Sequence, residues 1–155
     1  MLSPLTTLTT KVQDLIQPLF ISSPTANMST TENKTYVGHC HCGAYKFTLT
    51  RPPVTSVTAC NCSICSRNAY LYIDVPEGST FKVERGADKL TRYTFGSAKW
   101  VHDFCQKCGI TCLVKELNTN PERFYINARV LQDIDLKSLK VEECDPSSVS
   151  FPLHT

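Results

Sequence analysis

Residues 38–51 read Gly-His-Cys-His-Cys-Gly-Ala-Tyr-Lys-Phe-Thr-Leu-Thr-Arg. The second half of this stretch alternates Tyr45, Phe47 and Leu49 with Lys46, Thr48 and Thr50, the period-2 pattern of a strand with one buried face. The first half sets Cys40 and Cys42 two residues apart, just ahead of Gly43. In extended backbone the side chains at i and i+2 point the same way, so both thiols can reach one metal while His39 and His41 face away from it. The chain thus enters a half-buried strand through a metal-binding turn.

The same grammar continues outward. Arg51-Pro52-Pro53 stops the strand, and Thr55 to Ala59 starts another. Ala69 to Ile73 reads as a third, ended by Asp74 and Pro76. Phe81 to Glu84 and Leu90 to Phe95 read as a pair joined across Gly86, and Lys99 to Phe104, Thr111 to Lys115 and Phe124 to Ala128 complete the set. Only Ser63 to Asn68 and Leu131 to Leu139 have helical character. Short strands about ten residues apart, with no long helix between them, predict an antiparallel all-β domain.

Length and charge exclude several classes. The 155 residues allow one ordinary domain with a tail, and 16 Lys and Arg against 14 Asp and Glu leave no polybasic or polyacidic coat. Neither nucleic acid nor membrane is therefore expected as a partner. The longest apolar run, Ala69 to Ile73, is far short of the roughly 20 residues of a membrane helix. Residues 1–33 carry Pro4, Pro18, Pro24 and eleven Ser and Thr but no cysteine. They read as a flexible, disordered N-terminal extension to a domain at 34–148, with one short amphipathic helix possible from Leu8 to Leu19. No basic residue precedes Lys11, so no secretory leader is read, and a reducing, cytoplasmic location is expected, with nuclear or mitochondrial as alternatives.

Nine cysteines dominate what remains, and seven fall into three clusters: C-x-C-G at 40–43, C-x-C-x-x-C at 60–65 and C-x-x-C-G at 105–109. In a reducing compartment such clusters mean metal rather than disulfides. Seven thiolates divide as four plus three. Cys40, Cys42, Cys105 and Cys108 bring distant segments together and close a tetrahedral structural zinc. Cys60, Cys62 and Cys65 are local and leave a fourth position open, which separates a catalytic zinc from a structural one. Soft thiolates favour zinc, two ions per chain, and an iron–sulfur cluster is also compatible with the four-cysteine set. Cys112 and Cys144 stand alone, Cys112 as a core residue, and His102 reads as a satisfied core histidine.

These motifs are specific when taken together. Gly38 to Gly43, Cys60 to Cys65 and Phe104 to Gly109, with Arg85-Gly86-Ala87-Asp88, Tyr93-Thr94-Phe95 and Ile126-Asn127-Ala128-Arg129, resemble the glutathione-dependent formaldehyde-activating enzyme family, which also contains centromere protein V. The resemblance covers roughly residues 36–145. It implies a β-tent fold of small antiparallel sheets stapled by zinc, with Cys40, Cys42, Cys105 and Cys108 matching the structural site and Cys60, Cys62 and Cys65 the catalytic one. It also implies carbon–sulfur lyase chemistry, interconverting S-hydroxymethylglutathione with glutathione and formaldehyde, and hence a small thiol such as glutathione as partner. Arg67 is a candidate for a substrate carboxylate, and Tyr70, Trp100 and Phe104 are candidates for the pocket wall. The competing reading is a non-enzymatic, zinc-stabilised protein-binding module of the centromere protein V type. It should carry a long basic arm, whereas residues 1–33 hold only Lys11.

Overall fold

The computed structural model describes residues 32–144. The expected helix from Leu8 to Leu19, and most of the 1–33 extension, lie outside the described residues. The elements in chain order are β1 (Lys34–His39), β2 (Lys46–Arg51), β3 (Ser56–Cys60), α1 (Ser63–Asn68), β4 (Tyr72–Asp74), β5 (Thr80–Arg85), β6 (Leu90–Tyr93), β7 (Trp100–Cys105), β8 (Thr111–Glu116), β9 (Arg123–Asn127) and β10 (Lys140–Cys144). The fold is mostly β, as the spacing of short strands predicts.

Two sheets form. The first is three-stranded, in the order β1-β2-β5, and the second is seven-stranded, in the order β10-β3-β4-β9-β8-β7-β6. All strand pairs are antiparallel except β10 with β3, which run parallel and set Cys144 opposite Cys60. One core draws on both sheets. Tyr45, Phe47 and Leu49 turn inward from the first and meet Val57, Ile73, Leu113 and Ile126 from the second. Phe81 bridges the sheets, its ring 5.1 Å from Phe47 on one side and 5.1 Å from Phe124 on the other. The alternation read in β2 is therefore the first sheet's contribution to a shared interior, stabilised by removing these side chains from water.

Three segments differ from the sequence reading, each for a local reason. The stretch from Leu131 to Leu139 is not helical. A single 3₁₀ turn spans Ala128–Val130, and then Asp133 takes a positive φ of 55°. Asp135 turns its side chain onto the chain ahead, its Oδ1 accepting from Lys137 N at 3.0 Å, while its carbonyl accepts from Ser138 Oγ at 2.8 Å. A short acid that bonds its own backbone competes with the helix ladder. Leu136 and Leu139 still pack against the core, so their spacing reports burial without a helix. Secondly, β5 and β6 do not pair across Gly86. β5 joins β2 in the first sheet and β6 joins β7 in the second, with a 3₁₀ turn at Ala87–Lys89 between them. Thirdly, strand pairing begins at Tyr72 rather than Ala69, because Ala69 adopts φ 50° to end α1 and Tyr70 N donates to Cys65 O.

Candidate metal centres and an aromatic cavity

Two turns form the first centre. Cys40 follows the last residue of β1, and the chain turns through Cys42 and Gly43 so that Cys40 N donates to Tyr45 O and Gly43 N to Cys40 O. Cys105 ends β7, and the matching turn closes with Cys105 N donating to Ile110 O and Gly109 N to Cys105 O. Gly43 at φ 70° and Gly109 at φ 74° supply the left-handed residue each turn requires. The sulfurs of Cys40, Cys42, Cys105 and Cys108 converge within 4.8 Å of one another. Cys40 and Cys42 Sγ are 3.6 Å apart, and Cys42 and Cys105 Sγ 3.7 Å. A tetrahedron with Zn–S bonds of about 2.3 Å has edges of about 3.8 Å, so these donors fit a zinc-sized ion. Burial raises the Cys108 thiol, but backbone hydrogen bonds at Cys42 and Ile110 outweigh it and bring the pKa down to about 6. Cys112 is fully buried beside this group and outside it. Burial first, then the neighbouring cysteines, pushes its thiol up.

The second centre is local. Cys60 ends β3, Cys62 occupies the residue before α1 with extended backbone, and Cys65 lies within the helix. Their sulfurs also fall within 4.8 Å of one another. The hydrogen bond with Cys65 draws Cys60 down to about 5, and that same pairing together with burial pushes Cys65 up. Tyr72 Oη lies 3.6 Å from Cys65 Sγ, and burial raises the phenol's pKa, so it stays protonated and donates to sulfur. Among the described residues these three sulfurs gather without a histidine nitrogen or carboxylate oxygen, a soft, incomplete donor set that suits zinc and would leave one coordination position to another ligand.

The two centres differ in what lies beside them. A cavity of about 340 Å³ opens on Cys60, Cys62 and Cys65. Tyr72, Phe95, Trp100, His102, Val114 and Tyr125 form most of its wall, and Thr58 and Cys144 its remainder. These residues come from β3, β4, β7, β8, β9 and β10 and the segment after β6, so strand pairing assembles the wall around a ligand set made by one short stretch. Trp100 and Tyr125 pack with ring centroids 5.7 Å apart, and His102 sits 5.8 Å from Phe95 and 6.3 Å from Tyr70.

Of the residues singled out from sequence, Trp100 lines this cavity. Tyr70 lies behind the wall, buried and hydrogen-bonded to Thr111. Phe104 falls further along β7, opposite Thr91 and Thr111, and does not line it. Nor does Arg67, whose guanidinium donates back to Ser63 O at 2.6 Å. His102 is buried, as a core histidine should be, yet it reaches the cavity and its Nδ1 has no hydrogen-bond partner. Burial lowers its pKa to about 4, so the ring is neutral near pH 7. Sequence reasoning passed over Tyr72, Phe95, Tyr125 and Cys144. The alternation of aromatic residues at 100, 102 and 104 was the one available signal, and it gave no direction toward the cysteines. No helix among the described residues is long and apolar enough to cross a membrane.

Comparison with known proteins agrees with this geometry. The chain is similar to a crystal structure of a Rhodobacter sphaeroides protein, at 27% identity and a TM-score of 0.58, over 68% of this chain and 99% of that one. The family model described as glutathione-dependent formaldehyde-activating enzyme matches residues 35–148, which include all seven clustered cysteines and the whole cavity wall. On that match the chain belongs to the glutathione-dependent formaldehyde-activating enzyme family.

Proposed function

We propose that the protein is a zinc-dependent carbon–sulfur lyase acting on S-hydroxymethylglutathione or a similar thiol–aldehyde adduct. The observation that carries this reading is the incomplete three-cysteine set lining a cavity, whose described wall includes none of the complete four-cysteine set. Cys40, Cys42, Cys105 and Cys108 then hold a structural zinc, and Cys60, Cys62 and Cys65 a second zinc at the reaction site. That second ion carries a net charge of about −1 with its thiolates, and the chemistry it supplies when bound is to take a sulfur ligand and keep it ionised near pH 7, where a free thiol of pKa about 8.5 is mostly protonated.

The chain's own residues do the rest. Tyr72 donates to Cys65 and fixes that thiolate's direction. His102, neutral and with Nδ1 unpartnered, accepts the hydrogen bond of the adduct's carbinol hydroxyl. In the cleavage direction the carbon–sulfur bonding pair leaves with sulfur, the carbinol proton passes to His102 Nδ1, and the oxygen–hydrogen bonding pair becomes the second carbon–oxygen bond of the aldehyde. The aromatic wall keeps bulk water from the carbon. The test follows S-hydroxymethylglutathione formation from glutathione and formaldehyde above the spontaneous rate, with Cys62→Ser as control. Wild type should exceed the spontaneous rate and Cys62→Ser should match it. No excess rate in the wild type, with no thiol perturbing the metal, overturns the lyase reading.

A further inference from the structure

Among the described residues, the wall of the cavity contains no lysine, arginine, aspartate or glutamate. Glutathione carries two carboxylates and one ammonium, and its body is two peptide arms that need polar partners. The described wall offers few beyond its thiols, namely the hydroxyls of Thr58, Tyr72 and Tyr125, the His102 imidazole and the Trp100 indole N–H, set among aromatic rings and Val114. Desolvating a carboxylate without a cation is costly, and three thiolates in the wall add repulsion. Two cations that touch the wall's aromatic residues are already engaged. Lys99 lies 5.8 Å over the Trp100 ring with its ammonium 2.9 Å from Glu116. Arg123 reaches the other oxygen of Glu116 at 3.3 Å and Tyr125 Oη at 3.1 Å.

Building on the lyase reading, we infer that the thiol this site accepts has an apolar, aromatic body that fills the cavity, in preference to the peptide body of glutathione. The size agrees, because about 340 Å³ holds a phenyl or indole ring with its linker and a one-carbon carbinol. The geometry agrees too. Trp100 and Tyr125 meet at 55°, a tilted pair that presents a ring edge and a ring face together, which suits an aromatic guest. The sulfur sits at the cysteine end and the ring lies along Trp100 and Tyr125.

Trp100 is the single tryptophan of the chain, so its emission reports occupation of the cavity independently of turnover. The experiment uses the full-length protein with Co²⁺ replacing zinc, and titrates it with phenylmethanethiol, glutathione and phenylmethanol. It follows Trp100 fluorescence and the thiolate-to-cobalt absorption bands together. Phenylmethanethiol should move both signals at a concentration about tenfold or more below that of glutathione, and phenylmethanol should move the fluorescence alone. Glutathione acting at an equal or lower concentration overturns the inference and leaves the lyase reading standing. Fluorescence that answers to both aromatic compounds, with cobalt bands that answer to no thiol, upholds the aromatic cavity and overturns thiol capture. Trp100 emission unmoved by either aromatic compound overturns the inference outright.

Discussion

Cys40, Cys42, Cys105 and Cys108 reach one another from turns at the ends of β1 and β7, strands of different sheets, whereas Cys60, Cys62 and Cys65 lie within six residues of one chain segment. The first group ties two sheets that share a core. The second ties nothing that α1 and β3 do not already hold by continuity. A metal at the first group would therefore reinforce long-range packing, and one at the second would be free to serve chemistry. The surroundings follow the same division: Cys40 and Cys105 are fully buried in the common core, while Cys60, Cys62 and Cys65 form one end of a cavity.

The most direct way to break this contrast is to remove one ligand from each group. Cys108→Ser should abolish cooperative unfolding or yield insoluble protein, since structural zinc contributes on the order of 10 kcal/mol to small metal domains. Cys65→Ser should keep a cooperative melt and lose about one equivalent of zinc by elemental analysis. Equal destabilisation by the two substitutions would erase the distinction.

A pH series sharpens it at the cavity. His102 has an ordinary pKa of 6.5 and is lowered to about 4 by burial. Between those values the unfolded chain binds the proton and the folded one does not, so stability rises with pH across that window. The neutral ring's contribution is complete above about 6.5 and is lost as the pH falls toward 4, amounting to about 3 kcal/mol. Acid also protonates the thiolates, so the quantity to measure is the difference between wild type and His102→Phe in urea unfolding at pH 7 and pH 4.5. The wild type should lose more, and parallel losses would place His102 outside the buried wall.

The smallest effects belong to the two cysteines outside both groups. Cys112→Ala should retain both metals and cost about 1 kcal/mol, the common size for trimming a small buried side chain. Cys144→Ala should leave metal content and melting temperature unchanged. Loss of a zinc in that variant would make the three-cysteine group a four-cysteine one.

Both ligand groups were legible because their signals are local. Two-residue and three-residue cysteine spacings state their own geometry, and the alternation in β2 is visible in six residues. The cavity was not legible, because its wall depends on pairings such as β4 with β9 and β7 with β8 that no short window records. Tyr72 and Tyr125 become neighbours of the cysteines only through that strand order. The segment from Leu131 to Leu139 misled for the opposite reason. Its leucines have a helical rhythm, but Asp133 and Asp135 decide the backbone through local hydrogen bonds that hydrophobic spacing does not weigh.

The parallel pairing of β10 with β3 gives the protein a calendar. On the ribosome the three cysteines of the second group emerge together once residue 65 has cleared the exit, and the four-cysteine group is complete at residue 108. The edge of β3 beside Cys60 nevertheless waits for residues 140–144 to pair with it. Until then the cluster is assembled but bare, a set of soft ligands open to whatever metal or thiol is nearby. The wall beside Cys60 is complete only when this last described strand brings in Cys144, so any ligand that reaches the three cysteines earlier meets a more open site than the finished one.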